Sequence, residues 1–362
     1  MPPPAAPATP DFERFTVLLH GPIVAEHLHG LVGMIRSWRR AYPRATVIFG
    51  ASQIDADLSD VDRALWKAFD LEAHDHRRRI LAEAVAAEVD ALTQAPFAPP
   101  LPPLKFDDKP NNCNKMIAAV QSALPIVETE WLLRIRSDAF IHALSELRED
   151  YALHARAVGR PPALGAPLAV SPYFTLNPYL LERMSFHVSD WFNFGLTADI
   201  RDYWAVSPME WRDAAHFESF EHPPHTSPTE RAMRARMPPE MHLATNFARR
   251  HGYRTPDVFN ALGYEDEGLR FIRENVIVAD PRRIGLNMTK YRHMRGWYQN
   301  RMQLIQNWDW RRLVTQGVGP FAAESRRRRR DIDVHFALDR REIARRIARN
   351  GLVRRIAWLL HI

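Results

Sequence analysis

Apolar residues along the chain switch between two periods, and the switches outline an α/β order. The segment FTVLLHGPI (15–23) is a mostly apolar run stopped by Gly21-Pro22, as when a buried strand meets a turn, so His20, Gly21 and Pro22 are expected as a loop at its end. Val24, Leu28, Leu31, Ile35, Trp38 and Tyr42 then recur near the helical period until Pro43 stops the pattern. ATVIFGAS follows as a second buried strand, with Asp55 and Asp57 just past it. Strand, helix and strand in that order build a parallel sheet.

The stretch from Ala73 to Leu92 is alanine-rich and charged and predicts a surface helix; the proline-rich APFAPPLPPLKFDDKP after it is a connector, so residues 71–108 form an excursion. NNCNKMIAAVQSAL predicts a helix from about Asn112, with Met116, Ile117, Val120 and Leu124 apolar. In TEWLLRIRSDAFIH, Trp131, Leu133 and Ile135 alternate with Leu132, Arg134 and Arg136, a third strand whose charges stand where it should leave the core. APLAVSPYF and DWFNFGLT predict shorter strands, the span from Val206 to Pro239 a long loop, PPEMHLATNFARRHG a helix, and ENVIVAD a last strand. The expected architecture is one α/β domain over residues 13–315 with a mostly parallel central sheet flanked by helices, a leader over 1–12 and a helical tail over 316–362.

Composition bounds the setting. With 46% hydrophobic and 25% charged residues among 362, the chain is an ordinary globular protein. A lone cysteine, Cys113, excludes an intrachain disulfide framework and fits a reducing compartment, so a cytoplasmic location is expected. MPPPAAPATPDFE lacks the regions of a signal peptide, and no apolar run reaches the roughly 18 residues of a membrane span. The net charge of +6 and a pI near 9.6 favour anionic partners. From Asp339 the tail pairs Ile343 with Ile347, offers a stop at Asn350-Gly351 and aligns Val353, Ile356 and Leu360, a basic amphipathic pattern downstream of the arginine run 326–330. It suits peripheral contact with the inner face of a membrane, and equally the packing of an apolar side on the domain.

In open α/β sheets the ligand crevice lies beyond the carboxyl ends of the strands. Arg134, Arg136 and Asp138 follow such an end: the arginines suit a diphosphate and the carboxylate a divalent cation, and the same residues suit a structural ion pair. Lys115, near a helix start, can meet phosphate or simply be solvated. Asp190, in HVSDWFNFG, is either functional or caps a turn, and Glu240 in a first helical turn is favoured by the macrodipole whether or not it does chemistry. The pair His74 and His76 and the loop set His216, His222 and His225 lack metal-ligand spacing. The absence of GxxxxGK[ST], GxSxG and GxGxxG motifs removes support for a P-loop NTPase, an elbow-type serine hydrolase and a Rossmann dehydrogenase.

LLHGPI, NNCNKMIAAVQSAL, WLLRIRSDAFIH, HVSDWFNFGLTADIRDYW and PPEMHLATNF, in this order, resemble the WavE family of lipopolysaccharide-synthesis proteins over roughly residues 15–300. The resemblance implies a GT-A-like glycosyltransferase that uses a nucleotide-sugar donor and a glycan or lipid-linked acceptor. It implies that His20, Gly21, Pro22 and Asp55 embrace the nucleoside, that Asn111, Asn114 and Lys115 face the donor, and that Arg136 and Asp138 occupy the place of a Mn²⁺- or Mg²⁺-binding acidic motif. Asp190 and Glu240 match the later acidic positions, as bases for the acceptor hydroxyl. Two positions depart: Lys115 replaces an expected arginine, and RSD supplies one aspartate where two are usual. The alternative class is a non-catalytic nucleic-acid-binding or membrane-scaffold protein, motivated by the pI and the arginine run; no nucleic-acid signature supports the first, and no nucleic-acid partner is expected.

Overall fold

A computed structural model describes residues 9–54, 71–106, 110–227, 230–288 and 303–349. Strand β1 (Thr16–Ile23) is buried at nearly every position, as parallel strands covered on both faces must be. It leads into helix α1 (Leu28–Ala41), which turns Leu31, Ile35 and Trp38 to the core, and then into β2 (Thr46–Ile54). His20, Gly21 and Pro22 belong to β1, and the expected loop there is corrected: parallel pairing with β2 continues to Ile23 across an irregularity at Gly21/Pro22, where proline has no N–H to give.

The excursion contains helix α2 (Leu71–Ala86), but the expected run of helix to Leu92 is also corrected. The chain turns at Ala87–Asp90 and forms β3 (Ala91–Gln94), which pairs in parallel with β2. Helix α3 (Cys113–Ala123) lies so close on β2 that a Cβ at Gly50 would fall 2.5 Å from the Ala119 carbonyl oxygen; only glycine fits there.

β4 (Trp131–Arg136) pairs in parallel with the other side of β1. Next in the chain are the two-residue β5 (Ala139–Phe140), helix α4 (Arg148–Ala157), β6 (Leu168–Val170), β7 (Phe192–Leu196) and helix α5 (Thr197–Tyr203). The expected long loop before Pro239 carries single helical turns at Trp211–Ala214 and His216–Ser219, and helix α6 (Pro239–Arg250) follows it. Helix α7 (Glu265–Asn275) runs into β8 (Val276–Val278), and a short β9 (Asn287–Met288) pairs with β5. Helices α8 (Asn307–Gln316) and α9 (Val318–Arg349) close the described chain.

The fold is thus mixed α/β, its sheet ordered β3-β2-β1-β4-β7-β6-β8 with β7 antiparallel to both neighbours and the other pairs parallel. One core runs through the sheet, and a smaller methionine-rich cluster of Leu176, Met184, Phe217, Met233, Met237 and Met241 fills the space under the loop before α6. The arginine run lies in α9, whose Phe321, Ala322 and Ile332 are buried. Arg326 stacks 4.9 Å from the Tyr179 ring centre and Arg328 stands 3.6 Å from the Asp309 carboxylate. Asn350-Gly351 and the apolar positions of the last segment lie outside the described residues.

Candidate active site

The sheet changes winding direction at β1, which has β2 on one side and β4 on the other, and this is where a crevice opens in such sheets. Two facts of topology gather side chains there. The parallel strands bring the ends of β1 and β4 level, His20 opposite Arg136. Antiparallel β7 then delivers its beginning to the same edge, Phe192 opposite Ile135, with the Arg136 amide donating to the Trp191 carbonyl at 3.3 Å. Asp190, just before β7, therefore lies at the carboxyl ends of β1 and β4 although it stands over fifty residues further along the chain.

Arg136 and Asp138 form a bidentate pair, Nε to Oδ1 at 2.9 Å and Nη2 to Oδ2 at 2.8 Å. Both side chains are about one-third exposed, at 27% and 33%. Gly21 lies against Ser137, where an added Cβ would collide with the hydroxyl, and the Ser137 amide donates to the His20 carbonyl at 3.0 Å. The ends of β1 and β4 are locked together. His20 is buried, with its Nε2 unpartnered; burial first, and then the charges of Arg134 and Arg136, hold its pKa well below the usual value, so it is a neutral ring.

Arg134 corrects the expectation that the strand's charges emerge from the core. It is wholly buried, its guanidinium 4.1 Å from the Trp204 ring centre and donating to the Asp190 carbonyl, while Nε and Nη2 have no partner. The alternation of β4 reads this position as exposed, but α5 and Trp204 cover that face. Burial lowers its pKa to about 9, against the opposing pull of Asp190.

Glu240 enters at the first turn of α6, its side chain 13% exposed. Burial, then repulsion from Asp190, raises its pKa to about 8, with Arg136 opposing and Glu182 reinforcing the rise. Its Oε2 stands 3.8 Å from Nε2 of His187, a residue inside HVSDWFNFG that the sequence reading did not single out. His187 Nδ1 lies 2.7 Å from the Phe174 carbonyl oxygen, and burial lowers the ring's pKa. Phe174 and Phe186 have φ of 64° and 60°, left-handed conformations that cost a bulky residue on the order of 1–3 kcal/mol each and that cluster at functional sites. Trp191 stacks on half-buried Tyr173, ring centres 5.4 Å apart. No local periodicity reveals these partners, since they meet across loops.

The remaining predicted residues divide. Asn114 is committed to the backbone of Met209, donating to its carbonyl at 2.9 Å and accepting from its amide at 2.7 Å. Asn111 caps the start of α3 by accepting from the Cys113 amide at 3.1 Å. Lys115 donates to the Gln53 side chain at 3.2 Å, near the end of β2. Asp55 lies outside the described residues. Beyond the ends of β2 and β3 a cavity of about 580 Å³ is lined by Ile54, Gln94, Asp75, Ala82, Arg78 and Arg79, the last two unforeseen as site residues.

A divalent cation at Asp138 does not fit the arrangement as it stands: Arg136 holds both carboxylate oxygens, and among the described residues no group of three His, Cys, Asp or Glu side chains could hold a metal. His225 hydrogen-bonds the Asn260 carbonyl at 2.8 Å and His222 stacks on Phe217 with ring centres 3.9 Å apart, so both serve packing.

Residues 104–345, about two-thirds of the chain, match the model of the WavE lipopolysaccharide synthesis family. The chain belongs to the WavE family. The protein accordingly takes part in lipopolysaccharide synthesis. The span shared with WavE proteins contains Arg136, Asp138, His187, Asp190 and Glu240; His20, Gly21, Pro22, Asp55 and the two cavity arginines precede it. No curated protein matches the chain. Among the described residues of this WavE protein, no helix is long and apolar enough to cross a membrane.

Proposed function

We propose that this WavE protein is a GT-A-like glycosyltransferase that moves a sugar from a nucleotide-sugar to a lipopolysaccharide or other cell-surface glycan. The observation that carries the reading is Glu240: a buried carboxyl in the first turn of α6, 3.8 Å from His187, its pKa pushed upward by burial and then by the charge of Asp190. A carboxyl so tuned is a strong general base close to physiological pH.

In this reaction the acceptor hydroxyl oxygen attacks the anomeric carbon. The new C–O bond forms as the bond to the diphosphate breaks, and the nucleoside diphosphate leaves with the electron pair. Glu240 takes the hydroxyl proton. Arg136 offers its guanidinium to the charge that develops on the diphosphate, and buried Arg134 adds positive potential through the low-dielectric interior without touching the ligand. The nucleoside is assigned to the region past β2 and β3, where Arg78 and Arg79 line the cavity beside Ile54 and Gln94 at the strand ends.

The acceptor is assigned to the side of half-buried Tyr173, which stacks on Trp191 next to Asp190 in the chain. Peripheral membrane contact through the segment beyond residue 349 suits a lipid-linked acceptor. The arginine run contributes less to it than its charge suggests, because Arg326, Arg328 and Arg329 are engaged with Tyr179, Asp309 and Asp333.

The test is thermal stability against UDP, GDP, CDP and CMP, each with and without Mn²⁺. A ligand that binds only the native state must raise the melting temperature. The reading expects one nucleotide to do so; no rise with any of them, together with salt-sensitive binding of RNA, overturns it.

A further inference from the structure

We propose that His187 positions and tunes Glu240, its bare Nε2 accepting the hydrogen bond of the protonated Glu240 carboxyl. The consequence for transfer rests on reading Glu240 as the base; the pairing itself does not.

The tautomer follows from geometry. A carbonyl oxygen only accepts, so at 2.7 Å from the Phe174 oxygen Nδ1 must carry the ring hydrogen. In a neutral ring Nε2 then keeps its lone pair, and it is this atom that faces Glu240 Oε2 at 3.8 Å, a few tenths of an ångström beyond hydrogen-bond reach. Bond lengths at a catalytic base commonly tighten only when substrate is bound.

Two distributions of the proton carry the same net charge: an imidazolium facing a carboxylate, or a neutral ring facing a carboxylic acid. Burial selects between them. With the side chains 5% and 13% exposed, separating charge costs desolvation on both partners. The surrounding charges are those of Asp190, Glu182 and Arg136. Glu182, which also accepts from the Gln303 amide at 2.6 Å, and Asp190 act on both partners, favouring a proton on Glu240 and on His187 alike, so the choice between them falls to burial, the first-ranked effect on each. A lone pair aimed at the carboxyl acts in the same direction, since a hydrogen bond made only by the protonated form raises the affinity for that proton.

The ring is held more firmly than a space-filling residue requires. Its own carbonyl accepts from the Leu176 amide at 3.0 Å, its plane lies 25° from that of Phe174, and the residues on both sides of this contact, Phe174 and Phe186, adopt left-handed backbone. When the acceptor's proton arrives on Glu240, the acid O–H has a fixed partner, and the carboxylate that preceded it was destabilised by the same lone pair.

Infrared difference spectra between pH 6 and 9 test this without any substrate, the carboxylic-acid band being assigned by its loss in Glu240→Gln. His187→Asn keeps a donor for the Phe174 carbonyl and removes Nε2, whereas His187→Gln sets an amide oxygen near the Nε2 position. The midpoint is expected to fall by about one pH unit or more in H187N and to stay near the wild-type value in H187Q. An equal midpoint in wild type and H187N overturns the proposal. Should H187N fail to fold, ¹⁵N-histidine NMR of the wild-type protein decides: a bare Nε2 supports the pairing and a protonated Nε2 refutes it. Intact titration without glycosyl transfer would refute the enzyme reading alone, and transfer with an unshifted H187N midpoint would refute the pairing alone.

Discussion

Arg136 and Asp138, two residues apart, close into a two-point ion pair that fixes the guanidinium at the mouth of the crevice, with Nε–Oδ1 and Nη2–Oδ2 at 2.9 and 2.8 Å. Two parallel bonds to one carboxylate fix both the position and the plane of the guanidinium. Arg136→Ala is therefore expected to weaken binding of the cognate nucleoside diphosphate by roughly 10- to 100-fold, the range of one lost charged contact. Arg136→Lys is expected to recover little of it, because a lysine cannot supply the planar fork. Calorimetric titration measures both.

The pH dependence has a definite sign. A base must be deprotonated to act, so kcat/KM is expected to climb with pH until about 8, where Glu240 loses its proton. Asp190→Asn removes the repulsion that lifts this value, after burial itself, and should move the climb to lower pH. A pH–rate profile of the two proteins checks it.

Glu240→Gln is expected to lower kcat by 10²- to 10⁴-fold with nucleotide binding retained. Its stability relative to wild type is also predicted. The folded pKa of Glu240 is raised from the 4.5 of the unfolded chain to about 8, so its stabilising contribution is full below about 4.5 and is lost as pH rises towards 8. The variant has no such loss; its melting temperature should gain on wild type across this window and run parallel above it.

Buried Arg134 offers a contrast between stability and function. Among the described residues, two of its nitrogens have no partner and no carboxylate bonds it, so its burial is costly. Arg134→Met, similar in reach and apolar, is expected to unfold at an equal or higher denaturant concentration while activity falls. A clear loss of stability would show that the Asp190 carbonyl bond and the stack on Trp204 outweigh the desolvation.

The early part of α9 is predicted to belong to the folded body. Phe321→Ala, at a buried position, should cost about 3–5 kcal/mol in urea unfolding.

Local pattern carried much of this architecture. The strand, helix and strand of the opening, β4 and α6 lie where periodicity and proline placed them, because each buries one continuous apolar face. β3 was hidden: Ala91–Gln94 is only half-buried at a sheet edge and continues an alanine-rich stretch that reads as helix. The burial of Arg134 was hidden too, since the cover over β4 comes from Trp204, seventy residues later. Asp190 and Glu240 were visible as acids in unusual places, but not their mutual repulsion, which depends on the antiparallel return of β7. His187 left no signal, because its tautomer is set by a carbonyl thirteen residues upstream.

Glycosyl transfer itself is the property to measure. The direct measurement incubates wild-type and Glu240→Gln protein with a panel of nucleotide-sugars and lipopolysaccharide extracted from cells lacking this gene, following nucleoside diphosphate release and the mass of the glycan. One donor is expected to be consumed by the wild type with a matching mass increase, and the variant to bind this donor but turn it over at least about a hundredfold more slowly. Equal turnover by the two proteins, or no donor bound by either, would contradict this expectation.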